Sequence, residues 1–449
     1  MEARSAVSAG TATADLDTLG QEAKPTSING VIPRAGRYRP MIPLAALMAL
    51  ACYAFLFFYV RPHIFRGNSD FAFYYRAGKM LKAGYGANVY DLNAERAYDA
   101  KWGGEYTAPG RNFSSYPFVA SPFILLIFGP LACLSYSHAW TVWYAANVSM
   151  LLGIPFLLRS VLGHGRLFAL ALLSPPFFLP LDFALFQGQP TILLALLFAW
   201  MFTEIVRERA WHAGCILALV TIKPQLAIPM LLALAFARNG KAIAAFFGAS
   251  FGLFWVSAAL VGWRTAIRFP LVLRQFSQLP LGLGGPDLRL MPNVRGILYG
   301  VLHSRISTNS LEALTIVLSL ALMMAVWVSL RKRESLTLGF ALVIVVTLLT
   351  SYYGYMHDMS LLLVSFLLTG SYLRGRKLGP VEVTLAFAVY ALFLLPAVSV
   401  SFHMMVIGVF LGMLLLTGLQ FTRLLRRSSC VAPELRSSVP SPKGIVRQR

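Results

Sequence analysis

Acidic side chains are scarce in this chain: Asp and Glu supply 18 of 449 residues, against 39 Lys and Arg. Only 13% of the residues are charged while 57% are hydrophobic, and the mean hydropathy is +0.66, which excludes a water-soluble globule. Cysteine is equally sparse. Cys52, Cys133, Cys215 and Cys430 have no framework spacing and three lie in apolar runs, so they read as small core residues, not disulfides or metal ligands. There is no Walker loop, no Gly-rich dinucleotide fingerprint, no Cys/His metal spacing and no Gly-x-Ser-x-Gly elbow. Without a soluble nucleotide-binding domain, an enzyme of this build must take an activated substrate from the membrane. Period-2 alternation is missing too, which removes a β-barrel.

What remains is an all-α polytopic membrane protein. Apolar stretches of about 20 residues, the length that crosses a bilayer, recur from Met41 to Thr422. Lipid offers backbone groups no partners, so such stretches must be helical. The formal charge of +21 sits in short Lys/Arg clusters between spans and in the two tails, which is the positive-inside pattern and not a nucleic-acid footprint. Residues 1–39 and 428–449 read as disordered basic tails flanking a membrane domain over 40–427. The first apolar run begins near Met41 and is followed by no small-residue cleavage site, so it is an uncleaved first helix, not a signal peptide. Arg34, Arg37 and Arg39 precede that helix and place the amino terminus, and with it the carboxyl terminus, in the cytoplasm.

The first span, Met41–Val60, leads into an extracytoplasmic loop over 61–118 that holds Asp70, Asp91, Glu95, Asp99 and Glu105, five of the few acids. Phe71, Tyr74, Tyr75, Gly78, Leu81 and Lys82 recur at helical intervals there, as in a helix lying along the interface. Tyr116-Pro117 opens a second span ending near Leu134, and Ala139–Leu158 makes a third. Two later apolar segments are broken, one at Ser174-Pro175-Pro176 and one at Lys223-Pro224-Gln225. Counted as single spans they give twelve helices and put Arg207, Glu208 and Arg209 outside; counted as half-helices they give fourteen and return those residues to the cytoplasm. The second arrangement is favoured, and it brings the Gln187–Gln189 and Lys223–Gln225 turns to the side of Asp70. Residues 263–309 read as a polar loop, followed by five further spans.

Four polar constellations stand in or beside apolar sequence. Asp70 is a carboxylate just outside the first span, open to two readings: a base, or an N-cap that Ser69 or Asp70 provides. Gln187-Gly188-Gln189 offers two amides suited to hydrogen-bonding a polyol. Lys223, between Ile222 and Pro224, is a phosphate contact or a lysine snorkelling to headgroups, and Gln225 follows it. Ser351 to Asp358 holds three tyrosines, His357 and Asp358. His357 binds a phosphate or sugar hydroxyl, or sits in an aromatic belt, and the neighbouring His and Asp side chains are not expected to face each other. Asn112-Phe113-Ser114 is a weak glycosylation sequon.

The order of these motifs resembles glycosyltransferase family 87, bacterial polyprenol-phosphate-mannose-dependent α-1,2-mannosyltransferase-like proteins of the GT-C superfamily. Asp70-Phe71-x-x-Tyr74-Tyr75-x-Ala77-Gly78, then Val89-Tyr90, Tyr116-Pro117-Phe118, Gly129-Pro130-Leu131-Ala132, Trp143, Asn147, Gln187-Gly188-Gln189 and Lys223-Pro224 carry the resemblance over roughly 40–420. It departs from the family at Phe118, where a second proline is common, and at Pro190, where Asn is common. The resemblance implies a GT-C fold in the bacterial plasma membrane, inversion at the sugar carbon, and Asp70 as catalytic base. The implied partners are a polyprenyl-phosphate sugar donor and a glycan or glycolipid acceptor, with the surrounding membrane lipids and no nucleic acid. Lys223, Gln187, Gln189, Gln225, Arg76, His357 and Tyr74 are then the expected donor-binding residues. No cofactor and no metal are expected.

The chemistry has the same requirements on its own terms. A single displacement needs one base to activate the acceptor hydroxyl and cations to steady the departing phosphate, and it forms no covalent intermediate. A transporter or flippase for a lipid-linked sugar would account for many helices and broken spans as well, but no inverted repeat is visible and the long Tyr-rich first loop suits a reaction chamber. A non-catalytic scaffold is a third reading. Nothing in the motifs selects mannose over other sugars.

Overall fold

The computed structural model describes residues 41–64, 69–105, 117–280, 285–330, 335–374, 376–398 and 402–430. The expected tail 1–39, the sequon at Asn112, Tyr116, the Arg331–Arg333 cluster and the tail beyond Cys430 lie outside the described residues. Every regular element described is helical. Among the described residues, six helices are long and apolar enough to cross a membrane: Met41–Pro62, Tyr136–Leu157, Gly240–Val261, Thr308–Val328, Met356–Leu373 and Phe402–Leu424. Shorter apolar helices lie between them. The first, third and fourth of the six turn large apolar side chains outward, such as Leu47 and Phe55, Phe251 and Trp255, and Ile316 and Leu320. Lipid covers such surfaces at no cost, so a bundle of this kind need not hide them.

In chain order, α1 (Met41–Ile64) is followed by α2 (Phe71–Lys82) and α3 (Leu92–Trp102), which fold from the long first loop. Of the periodic residues of α2, Phe71, Tyr74, Tyr75 and Gly78 are buried, Leu81 is half-buried and Lys82 exposed, and the helix packs on α4 (Leu125–Leu131). Gly78 permits that approach: a Cβ there would stand 2.4 Å from the carbonyl oxygen of Phe128. The second expected span is short. Between 117 and 134 only Pro122–Leu131 is helical, about 15 Å of rise and half a bilayer. Pro117 and Pro122 cannot donate to a preceding turn, so the chain enters extended and begins its helix late.

The long α5 (Tyr136–Leu157) descends and α6 (Arg159–Leu162) turns the chain back. Then α7 (Arg166–Leu173) and α8 (Leu179–Gln187) are separated by a tight turn at Pro175–Phe177, and α9 (Thr191–Val206) follows. A second break separates α10 (Ala210–Val220) from α11 (Pro224–Phe236). Both proline-marked breaks are therefore real interruptions, as the half-helix reading expected. After α12 (Gly240–Val261), the stretch read as a polar loop holds two helices, α13 (Trp263–Gln278) and α14 (Val294–Leu302). Polar and apolar residues are interleaved in α13 at helical spacing, which lowers its average hydropathy without breaking the helix. The bundle closes with α15 (Thr308–Leu330), α16 (Leu336–Thr350), α17 (Leu362–Leu373), α18 (Pro380–Val398) and α19 (Phe402–Cys430). A six-residue 3₁₀ turn, Met356–Leu361, precedes α17 and packs on α8 and α9. That turn, the Gln187–Gln189 turn between α8 and α9, the break before α11 and the start of α2 converge on one chamber.

Candidate active site

The chamber encloses about 630 Å³ and is lined by Asp70, Tyr74, Gln187, Gln189, Lys223, Gln225, His357 and Asp358 among others. An aromatic cluster backs Tyr74 on its wall. Phe128 stacks on Tyr74 at 4.7 Å and meets Trp143 at 5.1 Å, while Phe71 packs on Phe128 and Tyr136. Offset aromatic pairs of this kind hold α2, α4 and α5 together. Trp143 Nε1 also donates to the carbonyl of Gly188, 2.8 Å away. Gly188 ends α8 in the left-handed region, with φ 62°. A Cβ there would lie 2.7 Å from that of Phe71, so the turn presses directly on the first residue of α2.

This contact decides what Asp70 does. Its backbone is helical and its side chain caps nothing. Ser69 Oγ accepts from the Phe71 amide, and the amide of Asp70 itself donates to Gln187 Oε1 at 3.1 Å. Of the two residues offered as the cap, it is therefore Ser69 and not Asp70 whose side chain takes an amide at the start of α2. The carboxylate instead faces the chamber and accepts from Gln189 Nε2 at 2.6 Å. Gln189 Oε1 in turn accepts from the Tyr74 hydroxyl at 3.0 Å, which fixes which end of the amide points at Asp70. Burial raises the Asp70 carboxyl above its ordinary range; the Gln189 bond and the Lys223 charge draw it part of the way back, and Asp358 opposes them. A carboxylate so placed is a stronger base than one in water.

Across the chamber, Pro224 starts α11 and leaves Lys223 at the break. Ser121 Oγ donates to the carbonyl of Thr221 and ties this break to the extended segment after Pro117. The Lys223 ammonium donates to Asp358 Oδ1 at 2.6 Å and lies 3.2 Å from His357 Nε2. Asp358 Oδ2 accepts from the Tyr355 amide at 2.9 Å and is 3.5 Å from His357 Nε2. His357 and Asp358 were not expected to face each other. In the 3₁₀ turn both side chains reach the same lysine. Lys223 lines the chamber and is paired there with Asp358.

Asp358 is a chamber residue that the sequence reading did not single out. Its signal lay within the Ser351–Asp358 constellation, but nothing there revealed that Lys223, 135 positions upstream, would be its partner. Asp287 also lines the chamber and is held by Arg289 through two contacts of 3.1 Å. Arg76 does not line it. Its guanidinium is 1% exposed, paired with Glu95 at 2.5 Å and Asp99 at 2.7 Å on the far side of α2. Glu95 Oε1 accepts from the amide of Phe118, so the cluster anchors a chamber wall instead. Among the described residues no group of three or more His, Cys, Asp or Glu side chains could hold a metal ion.

Beside the chamber runs a second cavity of about 850 Å³, walled largely by apolar side chains such as Phe246, Phe254, Ile267 and Met323. It shares Gln225, Leu273 and Tyr353 with the chamber, so the two meet at a common threshold.

A model of one protein family, Glycosyltransferase family 87, matches residues 118–352, just over half of the chain. The matched stretch contains Gln187, Gln189, Lys223 and Gln225, whereas Asp70, Tyr74 and His357 lie outside it and join them only through the fold. No curated protein and no solved structure matches the chain.

Proposed function

Because the chain belongs to glycosyltransferase family 87 and is a membrane glycosyltransferase, we propose that it transfers a hexose, mannose first among them, from a polyprenyl-phosphate sugar to a glycolipid or polysaccharide acceptor. The reaction runs on the extracytoplasmic face of a bacterial plasma membrane, with both termini in the cytoplasm. It inverts the sugar carbon. The observation that carries this reading is the Asp70 carboxylate, released from capping and oriented by Gln189 into a chamber that opens onto an apolar groove.

In this scheme the groove holds the polyprenyl chain and the chamber holds the sugar. Asp70 accepts the proton of the acceptor hydroxyl as its oxygen bonds to the anomeric carbon. The bond from that carbon to the phosphate oxygen breaks, and the electron pair leaves with polyprenyl phosphate. A positioned base contributes about 10²–10⁴-fold. Lys223 and His357 meet the charge that develops on the leaving oxygen. Asp358 holds and aims Lys223, while Gln187, Gln225 and Tyr74 stand where sugar hydroxyls and the base need partners. The reaction needs no redox group or nucleotide.

The test is transfer from radiolabelled polyprenyl-phosphate mannose in membranes carrying wild type or Asp70→Asn. Label moved by the wild type and lost in the variant, with donor binding retained, supports the reading. Equal transfer by both removes Asp70 from the mechanism. No transfer by either, with the donor still bound, points to another sugar or acceptor.

A further inference from the structure

One cation on the groove wall has no part in the scheme above. Arg274 lies on α13 one position from Leu273, and Leu273 borders both the groove and the chamber. We propose that Arg274 is a phosphate-binding residue at the threshold between the two cavities, holding the phosphate ester of the lipid-linked donor while its sugar enters the chamber. The inference rests on the donor class proposed above.

Charge distribution carries it. Lys223 is the lysine or arginine that lines the chamber and Arg274 the one that lines the groove. Each is close in sequence to a residue that lines both cavities: Lys223 is two positions from Gln225, and Arg274 is next to Leu273. Lys223 is already compensated by Asp358 at 2.6 Å. Arg76, the other cation expected to serve, is committed to Glu95 and Asp99. Arg274 is exposed, and among the described residues its guanidinium has no hydrogen bond or ion pair, while its carbonyl accepts from Ser277 Oγ. An unpartnered guanidinium beside an apolar wall suits an amphiphile with a phosphate head, because its planar fork takes two phosphate oxygens at once.

Deeper in the chamber, among the described residues, the carboxylate without a cationic partner is Asp70, since Asp287 pairs with Arg289 and Asp358 with Lys223. A phosphate drawn along the groove therefore meets attraction at the threshold and the Asp70 carboxylate further in. It stops between Arg274 and Lys223, and the sugar, which is neutral, continues toward Asp70. That arrangement presents the anomeric carbon to the base and the phosphate to the cations, as an in-line displacement requires.

The experiment measures binding to the full chain in phosphatidylcholine nanodiscs, with three probes: a sugar-free polyprenyl phosphate, phosphatidylglycerol and inorganic phosphate. The variants are Arg274→Gln, Arg274→Lys and Arg268→Gln, the last an exposed arginine on the same helix that lines neither cavity. The expected result is that Arg274→Gln binds polyprenyl phosphate about tenfold more weakly, that Arg274→Lys recovers part of the loss, and that Arg268→Gln and the other two probes are unaffected. Equal binding by wild type and Arg274→Gln overturns the inference alone. So does an equal loss in Arg268→Gln, which would mean general helix charge. An equal loss for phosphatidylglycerol, or a loss confined to inorganic phosphate, overturns it in favour of a phospholipid or free-anion site. A folded wild type that binds no polyprenyl phosphate overturns the proposed donor class together with it.

Discussion

Gln189 donates to Asp70 at 2.6 Å while accepting from Tyr74 at 3.0 Å, so one amide both orients the carboxylate and reports its own orientation. A hydrogen bond to a charged group is worth about 1.5–3 kcal/mol, or roughly 10–150-fold in rate if it is fully expressed in turnover. Gln189→Leu is expected to lower kcat by that factor, with a much smaller change in donor affinity. Steady-state kinetics at saturating donor measure it; an unchanged kcat would separate Gln189 from the base.

The base must be ionised to act. Burial raises the Asp70 carboxyl above its ordinary value of 3.8, so activity is expected to fall on the acid side at a pH higher than a solvent-exposed aspartate would give. The pH dependence of kcat/KM in reconstituted membranes shows this directly. Tyr74→Phe leaves Gln189 free to rotate and is expected to alter that limb while leaving the fold intact.

Lys223 and Asp358 form a pair with side chains 13% and 2% exposed. Removing one partner of such a pair strands the other charge, at about 3–5 kcal/mol. Asp358→Ala is expected to lower the thermal midpoint sharply, whereas Lys223→Met combined with Asp358→Leu recovers stability without recovering transfer. Scanning fluorimetry beside the transfer assay separates the two effects. Recovery of both would assign the pair to structure alone.

Gly188→Ala places a methyl 2.7 Å from Phe71 Cβ in a left-handed backbone. The backbone cost alone is about 1–2 kcal/mol, and relief of the clash moves α2 and with it Asp70. Transfer is expected to fall more than stability does, as read by midpoint and rate on the same preparation.

Burial pushes Glu95 from its ordinary 4.5 up to about 7, with Arg76 pulling against that rise. A raised carboxyl means the folded protein holds the proton more tightly than the unfolded chain. Its contribution to stability is therefore present in full below about pH 4.5 and lost as pH rises through about 7. Glu95→Gln is expected to flatten that slope, which thermal midpoints across this range measure.

Much was legible because lipid and hydrogen bonding leave a chain few options. The helical class, the membrane setting and the two interrupted helices follow from apolar run length and from Pro175, Pro176 and Pro224. The second span and the 263–309 stretch were misjudged for a related reason. Run length overstates a helix that two prolines delay, and average polarity conceals an amphipathic helix such as α13. Arg76 illustrates a third limit: its sequence neighbours place it on the helix of Asp70, but only packing shows that Glu95 and Asp99 claim it.

By itself the sequence determined which polar groups enter the membrane domain and that each must find a partner or a substrate there, since apolar surroundings penalise an unpaired polar group locally. Tertiary structure alone decided which partners they found. Asp70 meets Gln189 across 119 positions and Lys223 meets Asp358 across 135. Pairings at that separation depend on how the helices cross, and the pattern within any one helix carries no information about that crossing.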